Sequence, residues 1–419
     1  KTIMKQFKNI KALGGKLIAC AVASVMCLSL NVRGVMAAPP PPTTSGTEAN
    51  PATLGIWKNI QMPTGTATPA GTATFQFTAV SVDGENATTT NMPAIPNRTV
   101  TFTAGDTGTT ATDVSGVKTV SKKTGNILDS VTFAHAGEYI YTVTESASGF
   151  TLTNTATVSE QMDYSTMTYR VQVIVANNAA NTGVYVQTIS VGVYDPTTAT
   201  VGTKVNDTDT AEGTGFGFTN KFNRTHTGSA TDPSAALEIS KTVSGGAGNT
   251  ATYFPFTLTV NDPATLTTTT THGTYKAIIV SGGAAVDPTL NGITGASATD
   301  HSFDVTAGAA FTFKLKHGQS LAFINLPVGA TYTTTETDAQ GHTANLKITS
   351  NGVAATETAT ATSGAAKNVT EGADIAAFRN NKTLATPTGI ILSNLPYILL
   401  VGFACAVIAT VVIKKNREA

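Results

Sequence analysis

Six residues of this sequence could do covalent chemistry if a fold brought them together: Lys58, Glu145, Asn220, Lys241, Glu336 and Asn380. In "FGFTNKFN", residues 216–223, Asn220 shares a parity with Phe216, Phe218 and Phe222. Residues of one parity point to one face of a strand, so a carboxamide stands in the middle of an apolar face. Left unpaired in a core it would cost on the order of 1–3 kcal/mol. The other five residues follow the same pattern. Leu54, Ile56 and Ile60 share a parity with Lys58, and Tyr139, Tyr141 and Val143 with Glu145. Leu237, Ile239 and Val243 share one with Lys241, Ala376 and Phe378 with Asn380, and Tyr332 and Thr334 with Glu336. If these faces point inward, each of two cores holds one amine, one carboxyl and one carboxamide.

Burial pushes a lysine pKa down and a glutamate pKa up. A neutral amine is a nucleophile, and a protonated carboxyl polarises a carbonyl and moves protons. The asparagine carboxamide supplies an electrophilic carbon. Attack by the lysine amine with loss of ammonia leaves an amide between two side chains, an intramolecular isopeptide bond formed once and not turned over. Proximity in the folded core supplies most of the acceleration. The simpler reading of any one of these residues is a hydrogen-bonded core polar group, or a strand-edge lysine with its head in water. The ordered repetition of Lys, Glu and Asn is what favours chemistry.

The elements that must hold these residues are strands. The 419-residue chain is low in charge and aromatics and rich in Thr, Val, Ala and Gly, which favours an all-β fold with many turns. One run of alternating segments spans 53–224, including "LGIWKNI", "ATFQFTAVSV", "RTVTFTA", "EYIYTVTE", "TYRVQVIVA", "GVYVQTISVGVY" and "FGFTNKFN". A second spans 236–383: "LEISKTV", "FPFTLTV", "KAIIV", "AAFTFKLK", "SLAFINL", "ATYTTTE", "ANLKIT" and "IAAFRNN". Residues 38–52, rich in Pro and Thr, and residues 225–235 read as linkers. The two runs share a plan. Each opens on a strand with one lysine, has a late Tyr-Thr-x-Thr-Glu strand, and closes on Phe-x-Asn.

The ends predict export and anchoring. Residues 1–37 read as a signal peptide: five lysines and Arg33 frame the apolar "LIACAVASVMCLSLNV", with cleavage expected after Ala37. Residues 390–413 are apolar and long enough to span a bilayer, and the basic tail 414–419 would stay cytoplasmic. Between these ends, residues 38–389 carry 17 basic and 25 acidic residues and no cysteine. A secreted β-protein commonly carries disulfides; this one would need another cross-link.

At these motifs the chain resembles the backbone pilins of Gram-positive bacteria that sortases assemble. Through "WKNI", "GEYIYTVTE" and "FTNKF" the first run resembles the streptococcal-type pilin isopeptide linkage domain. Through "EISKTVSG", "LPVGATYTTTETDAQGH" and "FRNNK" the second resembles Cna-B-like domains. The resemblance implies two tandem Ig-like or Cna-B-like β-sandwich domains between a signal peptide and a C-terminal transmembrane helix. It implies a Lys58–Asn220 bond assisted by Glu145 and a Lys241–Asn380 bond assisted by Glu336, with Asn223 and Asn381 as alternative partners. In "LATPTGI" it implies a shortened sortase signal, Thr386-Pro387-Thr388-Gly389, within residues 384–389, cleaved after Thr388. The partners it implies are a sortase, other copies of the chain, minor pilins, a peptidoglycan precursor and a host surface ligand. Polymerisation needs an acceptor lysine, and no clear pilin motif marks one: Lys204 in "VGTKVND" is the first candidate, with Lys118, Lys122, Lys123 and Lys221 open. The alternative is a monomeric wall-anchored adhesin using the same domains as a stalk.

Other chemistries find no pattern. "GTGFGF" precedes no helix, the six histidines lack metal-ligand spacing, and no Ser-His-Asp order or nucleophile elbow occurs. No cofactor, no metal and no turnover enzyme are expected. No basic patch with interleaved aromatics points to nucleic acid.

Overall fold

A computed structural model describes residues 43–110, 116–227, 237–264, 273–384 and 388–417. The expected signal peptide, the first residues of the Pro/Thr linker, most of the 225–235 linker, and Thr386 with Pro387 lie outside the described residues. The chain is all-β apart from one short 3₁₀ turn and a C-terminal helix, among the described residues. It divides into two compact units, the main division falling at Arg224/Thr225.

The first unit packs an eight-stranded sheet on a five-stranded one. In the larger sheet the chief neighbours run Val184–Asp195, Thr168–Asn177, Gly137–Glu145 and Gly71–Val82. The smaller sheet runs Thr109–Thr110, Val117–Lys123, Trp57–Pro63, Gly217–His226 and Val158–Asp163. Alternate residues of the inward strands fill one core: Ile56 and Ile60, Tyr139, Tyr141 and Val143, Val171 and Val173, Phe216, Phe218 and Phe222.

The second unit also pairs two sheets. The eight-stranded sheet centres on Gln319–Phe323, Leu237–Ser244, Asp374–Asn381 and Thr343–Ser350. The four-stranded sheet runs Ala310–Leu315, Phe254–Asn261, Thr331–Glu336 and Lys367–Asn368. Gly245 ends the Leu237–Ser244 strand at φ 87°, and a Cβ there would lie 2.3 Å from the Lys382 carbonyl oxygen. Only glycine can turn the chain that close to the strand that closes the unit.

In both units the first and last long strands are hydrogen-bonded neighbours and parallel: Trp57–Pro63 beside Gly217–His226, and Leu237–Ser244 beside Asp374–Asn381. A parallel pair cannot be made by a hairpin, so here the rest of each unit is the crossover.

Three details depart from the sequence reading. Thr44 and Ser45 pair with Ile189 and Thr188, so this part of the expected linker extends the larger sheet. Val117–Lys123 is a full strand, although Val120 is its one fully buried residue and its polar sequence hides it. The C-terminal helix spans Thr388–Arg417, beginning before and ending after the expected 390–413. Lys414, Lys415 and Arg417 prolong it because unbranched basic side chains tolerate a helix and suit its negative C-terminal end. Its Leu395–Arg417 portion is long and apolar enough to cross a membrane.

Candidate functional site

All six residues singled out by parity are buried. Lys58 and Asn220 are 0% exposed, Lys241 1% and Asn380 0%. In the first unit, Lys58 Nζ lies 2.8 Å from Glu145 Oε2, and Asn220 Nδ2 donates to Glu145 Oε1 at 2.9 Å. In the second, Lys241 Nζ lies 2.7 Å from Glu336 Oε1, and Asn380 Nδ2 donates to the same oxygen at 2.6 Å. Each glutamate comes from the opposite sheet and bridges an amine to a carboxamide.

The register that produces this is the same twice. Lys58 stands opposite Phe218 in the parallel pair, and Lys241 opposite Phe378. Each asparagine follows two residues later, on the same face, one diagonal step from its lysine. Each glutamate is itself paired with a phenylalanine on a neighbouring strand, Phe75 for Glu145 and Phe256 for Glu336. Those rings meet the phenylalanines opposite the lysines, with centroids 5.1 Å apart in both units. In the second unit Lys241 Nζ also lies 4.3 Å from the Phe254 ring centroid. Each polar trio is therefore buried beside a pair of packed phenylalanine rings, in a box closed to solvent.

That box sets the protonation states. Burial pulls the Lys58 and Lys241 amines down from the ordinary lysine value to about 8, against the pull of the facing carboxylates. Burial raises Glu145 above the usual carboxylate range, against Lys58 and the Asn220 hydrogen bond. The amines are thus poised to be neutral nucleophiles near physiological pH. A pH prediction follows for Asn220→Ala, in which Lys58 must remain an amine. Between pH about 8 and 10.5 the folded chain holds fewer protons at Lys58 than the unfolded chain. Stability of the first unit should therefore rise through that window and be level just below it. Denaturant titrations at several pH values, referenced to Lys58→Met/Asn220→Ala, would read this; identical profiles for the two would refute it.

The two units differ around the carboxamide. Asn220 Oδ1 accepts a hydrogen bond from the backbone N–H of Ser165 at 2.9 Å. Asn380 Oδ1 and Glu336 Oε2 have no hydrogen-bond partner among the described residues. No sequence pattern pointed to Ser165, which lies in the turn between Val158–Asp163 and Thr168–Asn177.

The alternative partners stand apart. Asn223 and Asn381 have the opposite parity to Asn220 and Asn380, and Asn381 Oδ1 accepts from Ser244 Oγ. Lys204 ends the edge strand Thr200–Lys204 and pairs with Gly192. Lys122 and Lys123 pair with Asp106 and Asp207, and Lys118 donates to Thr66 and Thr68. Thr388 and Gly389 open the C-terminal helix. Among the described residues no cluster of His, Cys, Asp and Glu could hold a metal.

The class defined so far is a tandem β-sandwich protein with a Lys–Glu–Asn trio tying first and last strands in each core. Residues 235–382 match a family described as a domain of unknown function (DUF7601). Over 176 residues the chain is homologous to a curated pilin of Streptococcus pyogenes serotype M1, with 30% identity. That match covers 40% of this chain and 45% of the relative, so it spans under half of the pilin's length. The crystal structure of the major pilin from Streptococcus pyogenes aligns at 24% identity and TM-score 0.33, over 80% of this chain and 100% of that one. A pilus-presented adhesin aligns at 20% identity and TM-score 0.25, over 52% of this chain and 36% of that one.

Proposed function

We propose that this chain is the structural subunit of a cell-wall-anchored pilus on a Gram-positive surface, and that each sandwich staples itself with a Lys–Asn isopeptide bond. The observation that carries the reading is the same Lys–Glu–Asn trio, with the same register, in two units of different sequence. The pilin homology supports the assignment to a pilus.

The step balances without any cofactor. Lys58 Nζ, as the free amine, bonds to Asn220 Cγ, and the Cγ–Nδ2 bond breaks. Glu145 gives its proton to Nδ2 and takes the one that Nζ sheds, so ammonia leaves and the carboxyl is restored. Lys241, Asn380 and Glu336 do the same. Force passed along the chain enters the second unit at one strand of its parallel pair and leaves at the other. A covalent tie between them takes everything in between out of the load path.

The surrounding roles belong to the same reading. A sortase cleaves between Thr388 and Gly389 and holds Thr388 as a thioester. The amine that resolves it belongs to another copy, with Lys204 the first candidate, or to a peptidoglycan precursor. Minor pilins and a host surface ligand complete the partners.

Intact-mass measurement of the segment from Ala38 to Thr388 tests the staples. Two bonds predict a deficit of about 34 Da, one ammonia for each acyl transfer. Tandem mass spectrometry should find branched peptides joining Lys58 to Asn220 and Lys241 to Asn380. A full mass would make both trios ordinary polar core groups. On cells, a ladder of covalent multimers on denaturing gels is expected, lost in Thr388→Ala; a single band would favour the monomeric stalk.

A further inference from the structure

The first unit holds a second carboxylate that the trio does not use. Glu212 accepts a hydrogen bond from Ser165 Oγ through Oε1, and from the Thr219 backbone N–H through Oε2 at 3.2 Å. Ser165 Oγ also accepts from the Met167 backbone N–H at 3.2 Å, which closes the turn on itself. Thr219 immediately precedes Asn220 in the closing strand. Glu212 therefore clamps the Ser165 turn to the strand that carries the reacting asparagine. To that asparagine the turn presents the Ser165 N–H, 2.9 Å from Oδ1. The opposite edge of the same carboxamide, Nδ2, faces Glu145. The amide is thus held by its oxygen on one side and by its leaving group on the other.

We propose that the Ser165 backbone N–H is a one-donor oxyanion hole for the first-unit isopeptide bond, with Glu212 and the Ser165 hydroxyl as the positioning residues that aim it. The inference rests on the self-stapling reading above. When Lys58 Nζ bonds to Asn220 Cγ, the carbonyl electron pair moves onto Oδ1, and the Ser165 N–H meets the charge there. When the pair returns, the Cγ–Nδ2 bond breaks and ammonia leaves with the proton from Glu145. A fixed backbone dipole does not have to reorganise during the reaction, which is why such donors are worth about 10²–10³ in rate. The second unit lacks this device: Asn380 Oδ1 is without a partner among the described residues. The two staples of one chain should then form at different rates, the first ahead of the second.

The second unit is an internal clock for the experiment. The full chain is made by cell-free synthesis and quenched in denaturant at intervals. Peptide mapping follows the loss of ammonia at Asn220 and at Asn380 separately. Ser165→Pro, which removes the N–H, should slow the first bond about 10²-fold and leave the second unchanged. Should proline prevent folding, Glu212→Ala and Glu212→Gln decide. The alanine variant loses the clamp and should slow the first bond about tenfold. The glutamine variant keeps one acceptor oxygen, enough for Ser165 Oγ but not for the Thr219 N–H as well, and should recover part of the rate. First-unit rates equal to wild type in Ser165→Pro and Glu212→Ala would overturn the inference, while wild type would still lose both ammonias. A wild-type chain that loses no ammonia would overturn the stapling reading itself.

Discussion

Asn220→Ala is expected to lower the unfolding midpoint of the first unit by about 10–20 °C. The bond from Lys58 to Asn220 closes a loop of roughly 160 residues. By the chain-entropy argument used for disulfides, closing a loop of that length removes unfolded-state freedom equivalent to about 5 kcal/mol. For a domain of this size each kcal/mol moves the midpoint by about 2–4 °C. Asn380→Ala should do the same to the second unit, because the cost grows only with the logarithm of loop length and that loop is roughly 140 residues. The substitution leaves the Lys58–Glu145 pair in place, so it removes the staple with little other damage. Differential scanning calorimetry of wild type and the two single variants reads the effect, with the untouched unit as reference. Shifts of no more than about 3 °C would mean that no covalent bond had been lost.

The residues of the trio were legible because burial in a strand obeys parity. A polar side chain at an apolar parity must be inside, and all six are. Parity also separates Asn220 from Asn223, which three-residue spacing sends to the other face. The stagger that matters most was not legible: Lys58 faces Phe218 rather than Asn220. A parallel register depends on how a crossover of more than a hundred residues folds, and no local pattern encodes it. Ser165 was invisible for a different reason. Its contribution is a backbone N–H, which every residue but proline carries, so side-chain type gives no signal. Glu212 reads as an ordinary loop acid until its two neighbours in space are known. Thr44 and Ser45 illustrate the limit of composition. A Pro/Thr stretch suggests a linker, yet an open sheet edge will accept any short extended segment that can offer its N–H and C=O groups.

Glu145→Gln should do more harm than Asn220→Ala, although it changes only one atom type. It removes the proton carrier, and general acid–base catalysis by a positioned carboxyl is worth about 10²–10⁴ in rate. Over an ordinary expression the first bond would then stay unformed, costing the same 5 kcal/mol or so as the asparagine variant. It also leaves the Lys58 ammonium in a closed core without the carboxylate it contacts. Removing one partner of a buried pair costs about 3–5 kcal/mol. The two losses together approach the whole stability of a typical domain, about 5–15 kcal/mol. The first unit of Glu145→Gln should therefore be largely unfolded or protease-sensitive at temperatures where Asn220→Ala is still folded. Raising the pH should restore part of the loss, since neutral Lys58 no longer needs a counter-charge and its titration is already drawn down to about 8. Adding Lys58→Met to Glu145→Gln should restore more, because it removes the stranded charge without restoring the bond. Limited proteolysis of the single and double variants across pH separates the two contributions. Equal sensitivity of Glu145→Gln and Asn220→Ala would show that Glu145 neither holds the Lys58 charge nor carries the proton.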